Sequence, residues 1–205
     1  MRDFIDIVFS EESKKFIPKL KELGFSSCVF VTESKKLEEL KKKYTKEKFP
    51  CYLGVLIDLK KTKQLSKDIN AAGKYADLIL LKGGNIDQNK IIARARKADI
   101  ILSPVSTRKM NIDMQTISVC KDNKVRFSIN LNEFLGFGEL GLLGKYMFLA
   151  KMLGKYKWSP MLFSGATKPE ELRNPIDIAC FMESMGYDYD QSLRAISSLT
   201  RSMIK

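Results

Sequence analysis

The sequence predicts an α/β fold, a TIM-like (β/α) barrel with an incomplete set of about seven clear strands, and three observations predict it. Apolar runs of strand length recur along the chain, helical patterns fill the intervals, and the strand starts return about every 22–33 residues. That is the cadence of repeated βαβ units on a parallel sheet. Seven units in about 165 residues nearly match a compact barrel, whose usual size starts at about 200 residues. A doubly wound open sheet has the same periodicity and is the alternative architecture.

In chain order, the first strand is expected over Asp3–Phe9, and Pro18 is a misfit in the helix that follows, which either kinks there or starts late. The second strand, Ser26–Thr32, leads to Ser34, an N-cap before Leu37, Leu40 and Tyr44, with Glu38 and Glu39 four residues before Lys42 and Lys43. Further strands are expected over Pro50–Asp58, Asp77–Gly83, Asp99–Pro104, Val125–Asn130 and Trp158–Ser164. An eighth, due around Glu171–Asn174, is not visible. Asn174-Pro175 reads as N-cap and first helical residue, and Gly186 closes that helix. Asp188 and Gln191 begin a last helix with Leu193, Ile196, Leu199 and Met203 on one face. With no linker or low-complexity segment, residues 1–205 are expected to form one domain.

Hydrophobic residues at 44% and charged residues at 29% describe a soluble globular chain. No apolar run approaches the roughly 20 residues that span a membrane, and Met1-Arg2-Asp3 leads straight into a strand with no sign of a signal peptide. Cys28, Cys51, Cys120 and Cys180 form no C-x-x-C pair. Cys28 and Cys51 lie in apolar runs and read as buried core residues, so a reducing cytoplasm is the expected compartment. The chain has no histidine, the commonest metal ligand and neutral-pH proton carrier, which counts against most hydrolytic machinery. Its 36 Lys+Arg against 24 Asp+Glu, a net charge of +12, point to a polyanionic partner.

In a barrel, chemistry belongs at the C-terminal strand ends, and here those ends are basic and hydroxylic. Lys82 follows Leu78-Ile79-Leu80-Leu81 and is a candidate Schiff-base amine or phosphate contact; Gly83-Gly84-Asn85 is then a turn with amides able to approach a phosphate. The plain alternative is a tight turn with a solvated lysine. Ser164-Gly165-Ala166-Thr167, leading to Lys168 and Arg173, is either an anion site or an ordinary N-cap. Arg108 and Lys109 are phosphate-gripping candidates beyond the fifth strand.

Gly136-Phe137-Gly138-Glu139-Leu140-Gly141 spells the dinucleotide fingerprint, but it stands six residues from the preceding strand and lacks the downstream acid, so it reads as coincidence. Asp6, Asp58, Asp77 and Asp99 invite a Mg²⁺ reading. Asp77 and Asp99 stand at strand starts, where capping is the better role, and Asp6 with Asp58 is a thin set, so no protein-bound metal or cofactor is expected. Further basic clusters lie at Lys41–Lys43, Lys60, Lys61 and Lys63, Arg94, Arg96 and Lys97, and Lys145 through Lys157. Aromatic platforms for single strands are not evident, which favours backbone and shape recognition.

Tyr75-Ala76-Asp77-Leu78-Ile79-Leu80-Leu81-Lys82-Gly83-Gly84-Asn85, and Phe163-Ser164-Gly165-Ala166-Thr167-Lys168 leading to Glu171-Leu172-Arg173-Asn174-Pro175-Ile176-Asp177, resemble the protein component 3 family of archaeal ribonuclease P, relatives of the eukaryotic p30 subunit. The resemblance implies a barrel related to the PHP phosphoesterases but without their histidine-rich metal centre. It implies a non-catalytic subunit of a ribonucleoprotein that removes 5′ leaders from precursor tRNA. The implied partners are the ribonuclease P RNA, precursor tRNA, a small Pop5-type subunit and other ribonuclease P proteins, with Mg²⁺ serving the RNA-based reaction. The chain departs from the family at Asp113-Met114, where a histidine is common, and at Asn130 and Asn132, where arginine is common. Lys82, Arg108, Lys168 and Arg173 remain its RNA-contact candidates. Two rivals stand beside this reading: a sugar-phosphate lyase or isomerase using Lys82 and a phosphate site at Gly165, and a protein-interaction scaffold.

Overall fold

The structure, a computed structural model, describes residues 2–33, 35–106, 109–135 and 140–205. Six units open the chain: β1 (Ile5–Val8) and α1 (Ser13–Glu22), β2 (Ser27–Thr32) and α2 (Leu37–Tyr44), β3 (Cys51–Asp58) and α3 (Leu65–Ala72), β4 (Leu78–Lys82) and α4 (Ile86–Arg94), β5 (Ile100–Leu102) and α5 (Met114–Asp122), β6 (Arg126–Asn130) and the short α6 (Asn132–Leu135). The chain continues through α7 (Leu140–Lys155), β7 (Met161–Phe163), a 3₁₀ turn (Pro169–Glu171), α8 (Pro175–Ser184), α9 (Tyr189–Ala195) and α10 (Ser198–Met203). Each of the seven expected strands is present. Around Glu171–Asn174 there is a turn rather than a strand.

Neighbouring strands pair in parallel in the order β1 to β7. The ring then closes, which decides against an open sheet. The Gly165 N–H donates to the Ile7 carbonyl at 3.1 Å, and the Phe9 N–H to the Ala166 carbonyl at 2.9 Å. Asp6 reinforces this seam: its carboxylate accepts from the Ser164 N–H at 2.8 Å and the Ser164 hydroxyl at 2.6 Å. A side chain and a loop thus serve where an eighth strand would pair.

Alternation along the strands divides the core. Ile5, Ile7, Val29, Val31, Leu78, Leu80, Ile100, Leu102, Met161 and Phe163 fill the barrel, and the opposite faces pack beneath the helices. Gly54 marks how tight seven strands are: a Cβ there would lie 2.8 Å from a methyl of Val31 and 3.0 Å from one of Val29. Cys28 and Cys120 are buried, Cys51 half-buried and Cys180 exposed.

The caps follow the sequence closely. Asn174 accepts from the Asp177 N–H at 2.8 Å with Pro175 as the first helical residue, Asp188 accepts from the Gln191 N–H at 2.9 Å, and Gly186 takes φ +91 after α8. Pro18 lies inside α1, which nevertheless starts at Ser13. The Ser34 cap lies outside the described residues. The expected single last helix is two, α9 and α10, because the Ile196 carbonyl leaves the helical ladder to accept from the Ile5 N–H at 2.9 Å. That turn swings Leu199, Met203 and Ile204 beneath the barrel, against its interior cluster.

Asp77 and Asp99 sit at this lower, N-terminal mouth. They accept from the N–H groups of Leu53 (2.8 Å) and Ile79 (2.7 Å), each on the preceding strand, rather than holding an ion. Lys41 and Lys205 neutralise them.

Candidate nucleic-acid interface

Lys82 ends β4 opposite Asp58 of β3. It shares the parity of Leu78 and Leu80, so its stem rises from the barrel's inner wall, and its ammonium stands exposed at the C-terminal mouth. Below it, Glu133 accepts from the Ser103 hydroxyl at 2.5 Å and the Tyr146 hydroxyl at 3.0 Å. Burial pushes the Glu133 carboxyl up, opposed by those hydrogen bonds, one from Asn130, and the Lys82 charge. An exposed ammonium is not the desolvated amine that Schiff-base chemistry requires.

The Gly83-Gly84 turn is braced internally, which corrects the expectation of free amides. The Gly83 N–H donates to the Leu102 carbonyl at 2.8 Å, extending the β4–β5 ladder, and the Gly84 N–H faces the Asn89 amide oxygen at 3.4 Å. Glycine is needed at both: a Cβ on Gly83 would collide with Asn89, and Gly84 takes φ +119. Asn85 caps α4 by accepting from the Gln88 N–H at 2.8 Å. Asn89 is fully buried and donates to the carbonyls of Pro104 (2.7 Å) and Asn111 (2.9 Å), tying this turn to the loop after β5. Asn89 carries no sequence signal of this role, because its partners lie in a different loop.

Lys109 is exposed on that loop, and Lys145 of α7 reaches it, donating to the Ser106 carbonyl at 2.8 Å. Arg108 lies outside the described residues, as does the Gly136–Glu139 stretch of the fingerprint-like motif.

Beyond β7, Ser164 is buried and committed to Asp6. Gly165 takes φ +64, and a Cβ on it would collide with the Asn130 amide. The loop amides that could hold an anion already do. Glu171 accepts from the N–H groups of Thr167 (2.7 Å) and Lys168 (3.2 Å), the Thr167 hydroxyl (2.9 Å) and the Asn132 amide (3.1 Å). These donors hold its carboxyl below the usual range. A carboxylate in the place of a phosphate removes the loop amides as an anion site, and with it the lyase or isomerase alternative. Lys168 remains exposed, whereas Arg173 folds back on the carbonyls of Glu170 (3.1 Å) and Leu172 (2.9 Å).

Lys82, Lys109, Lys145 and Lys168 therefore share the C-terminal mouth, while Ser164, Gly83 and Gly84 are its framework. Beside them, the roughly 780 Å³ groove along the end of β3 is mixed in sign, with Lys61 paired to Glu33 at 2.7 Å. Asp6 and Asp58 do not converge: Asp6 points away from the barrel interior into its seam, and Asp58 accepts from the Lys60 N–H at 2.9 Å. Among the described residues no three Cys, Asp or Glu side chains gather as a metal site.

The chain is similar to ribonuclease P protein component 3 of Methanothermobacter thermautotrophicus, 22% identical over 95% of this chain and 84% of that protein. It is also similar to that of Methanocaldococcus jannaschii, 25% identical over 90% and 82%. Its fold matches a chain in a cryo-EM structure of archaeal ribonuclease P with mature tRNA, with a TM-score of 0.83 and 21% identity over 97% of this chain and 89% of that one. The family model described as RNase P subunit p30 matches residues 5–205, from the first strand of the barrel through the helix that closes its lower mouth. The resemblance carried by the β4 and β7 segments therefore extends through the whole fold, and the chain belongs to the RNase P subunit p30 family.

Proposed function

We propose that this chain is a protein subunit of ribonuclease P, the ribonucleoprotein that removes 5′ leaders from precursor tRNA, and that it supports the RNA without performing the cleavage. The family match over residues 5–205 carries this reading. The C-terminal mouth agrees with it: exposed lysines stand where a barrel enzyme keeps its reactive groups, and the nearby carboxylates of Glu133 and Glu171 are tied into the protein's own hydrogen bonds.

The lysines neutralise RNA phosphates and stabilise the folded RNA beside a Pop5-type partner and further protein subunits, which lowers the Mg²⁺ that cleavage requires. Mg²⁺ belongs to the RNA-based reaction. The cytoplasm is the compartment of this work, and no helix among the described residues is long and apolar enough to cross a membrane. Reconstitution with the cognate RNA and partner proteins tests the reading: omitting this chain should reduce precursor-tRNA cleavage at low Mg²⁺, and unchanged cleavage would overturn it.

A further inference from the structure

A second basic cavity lies at the opposite end of the barrel, where β6 and β7 begin, between the end of α7 and helices α9 and α10; its volume is about 840 Å³. Four cationic side chains line it, Lys121, Arg126, Lys157 and Arg194, and no carboxylate does. Elsewhere lysines are paired with acids, as at Lys61 with Glu33 and Lys42 with Glu38.

Arg126 is the group that most needs a partner. Its guanidinium lies 3.2 Å from the centroid of the Trp158 ring, and Nη1 donates to the Ser159 carbonyl at 2.9 Å. Its Nε is enclosed with no acceptor among the described residues, and burial pulls its pKa down to about 10. A half-buried cation without counter-charge is unfavourable, and an anion in the cavity would remove that penalty. Tyr187 also lines the cavity, and its hydroxyl is enclosed with no hydrogen-bond partner among the described residues. Among the described residues no salt bridge joins Lys121, Lys157 or Arg194 to a carboxylate, although Arg2, helped by the Arg194 charge, holds the Asp190 carboxyl below its usual range. Lys121 donates to the Tyr156 carbonyl at 3.0 Å, and Arg194 to the Asp190 carbonyl at 3.3 Å, while the Asp190 carboxylate is paired with Arg2 at 2.8 Å. Lys157 is exposed in a left-handed turn at φ +49, its N–H bonded to the Gly154 carbonyl at 3.0 Å.

We infer that this cavity is a second phosphate-binding site, and that its occupant is the phosphodiester backbone of the same RNA. The inference rests on the ribonuclease P reading. A cavity of this size exceeds what one phosphate fills, and four cations spread around it match the repeated charge of a polynucleotide strand rather than a single small anion. The chain would then contact RNA at both ends of its barrel, through Lys82 and its neighbours at one mouth and through Lys121 and Lys157 at the other.

Trp158 is the only tryptophan in the sequence, and its ring forms part of the cavity wall, so its fluorescence reports occupancy. The full chain is titrated with the cognate RNA, and in parallel with inorganic phosphate, over a range of salt. The expected result is a saturable change in Trp158 emission with RNA. In K121A/K157A the dissociation constant should rise about five- to tenfold, and the log–log salt slope should fall by about 0.7–0.9 for each lost contact. Both lysines are exposed, so the variant's unchanged far-UV spectrum and melting temperature exclude misfolding. Wild-type and variant binding curves that superimpose would overturn the second site and leave the function standing. An emission response to phosphate but not to RNA would overturn the RNA occupant. Failure of the function itself shows differently, as precursor-tRNA cleavage indifferent to the chain.

Discussion

Asp6 accepts three hydrogen bonds in a fully buried seam, from Ser164 twice and from the Ile7 N–H at 2.9 Å. Burial nevertheless dominates and pushes its carboxyl up to about 6 from the ordinary 3.8, with the Ser164 and Ile7 bonds opposing. The sign follows: a folded pKa above the unfolded one means that the fold favours the protonated acid. The associated stability is complete below about pH 4 and is lost as the pH rises through about 6, on the order of 3 kcal/mol in all. Urea midpoints of the wild type and Asp6→Asn, measured from pH 4 to 7, should diverge across that window; parallel profiles would refute the assignment. Gly165 gives a second residue-scale expectation. Gly165→Ala adds a collision with Asn130 to a left-handed backbone and should destabilise by about 3 kcal/mol, whereas Gly186→Ala, also left-handed but facing open space, should lose only about 1 kcal/mol. Equal losses in thermal unfolding would show that the Asn130 contact is unimportant.

Among the elements, α10 has the least propensity-driven reason to exist. It is six residues long with no side-chain cap, and its place comes from Leu199 and Met203 packing under the barrel and from the Lys205 N–H donating to the Asp77 carbonyl at 3.2 Å. Removing residues 199–205 should therefore lower stability by about 3 kcal/mol or more, read as a shift in the denaturation midpoint with an altered m-value as the barrel's floor opens. A truncated chain with wild-type stability would mean that the barrel floor needs no cover. By contrast, α8 and α9 begin at strong local signals, Asn174-Pro175 and Asp188, and those starts were legible without the fold. The break between α9 and α10 was not. A continuous apolar face running through Ile196 reads as one helix until the partner of the Ile196 carbonyl, the first residue of β1 at the other end of the chain, is in place.

For the whole molecule, the net charge of +12 predicts RNA affinity that falls steeply with salt. Single substitutions of Lys82 and Lys168 to Ala should leave the melting temperature within about 1 °C, since both are exposed, while each weakens RNA binding and lowers the salt slope by about 0.7–0.9. Unaltered slopes in both would remove the C-terminal mouth from the RNA interface.

The sequence by itself determined the seven strands, their parallel cadence, the starts of α8 and α9 and the basic character of the strand ends, because these depend on local periodicity, cap chemistry and composition. Only the tertiary structure decided that the ring closes without an eighth strand, since the Asp6–Ser164 link joins residues 158 positions apart. It likewise decided that Asn89 braces a turn whose glycines were expected to face a phosphate, whereas Glu171 fills its loop amides through local bonds to Thr167 and Lys168, four and three residues back. For Asp6 and Asn89 the partner of the polar group lies on another element, where no spacing rule reaches. A side chain's chemistry is written in the sequence, but whether that chemistry remains available depends on which neighbour the fold brings to it.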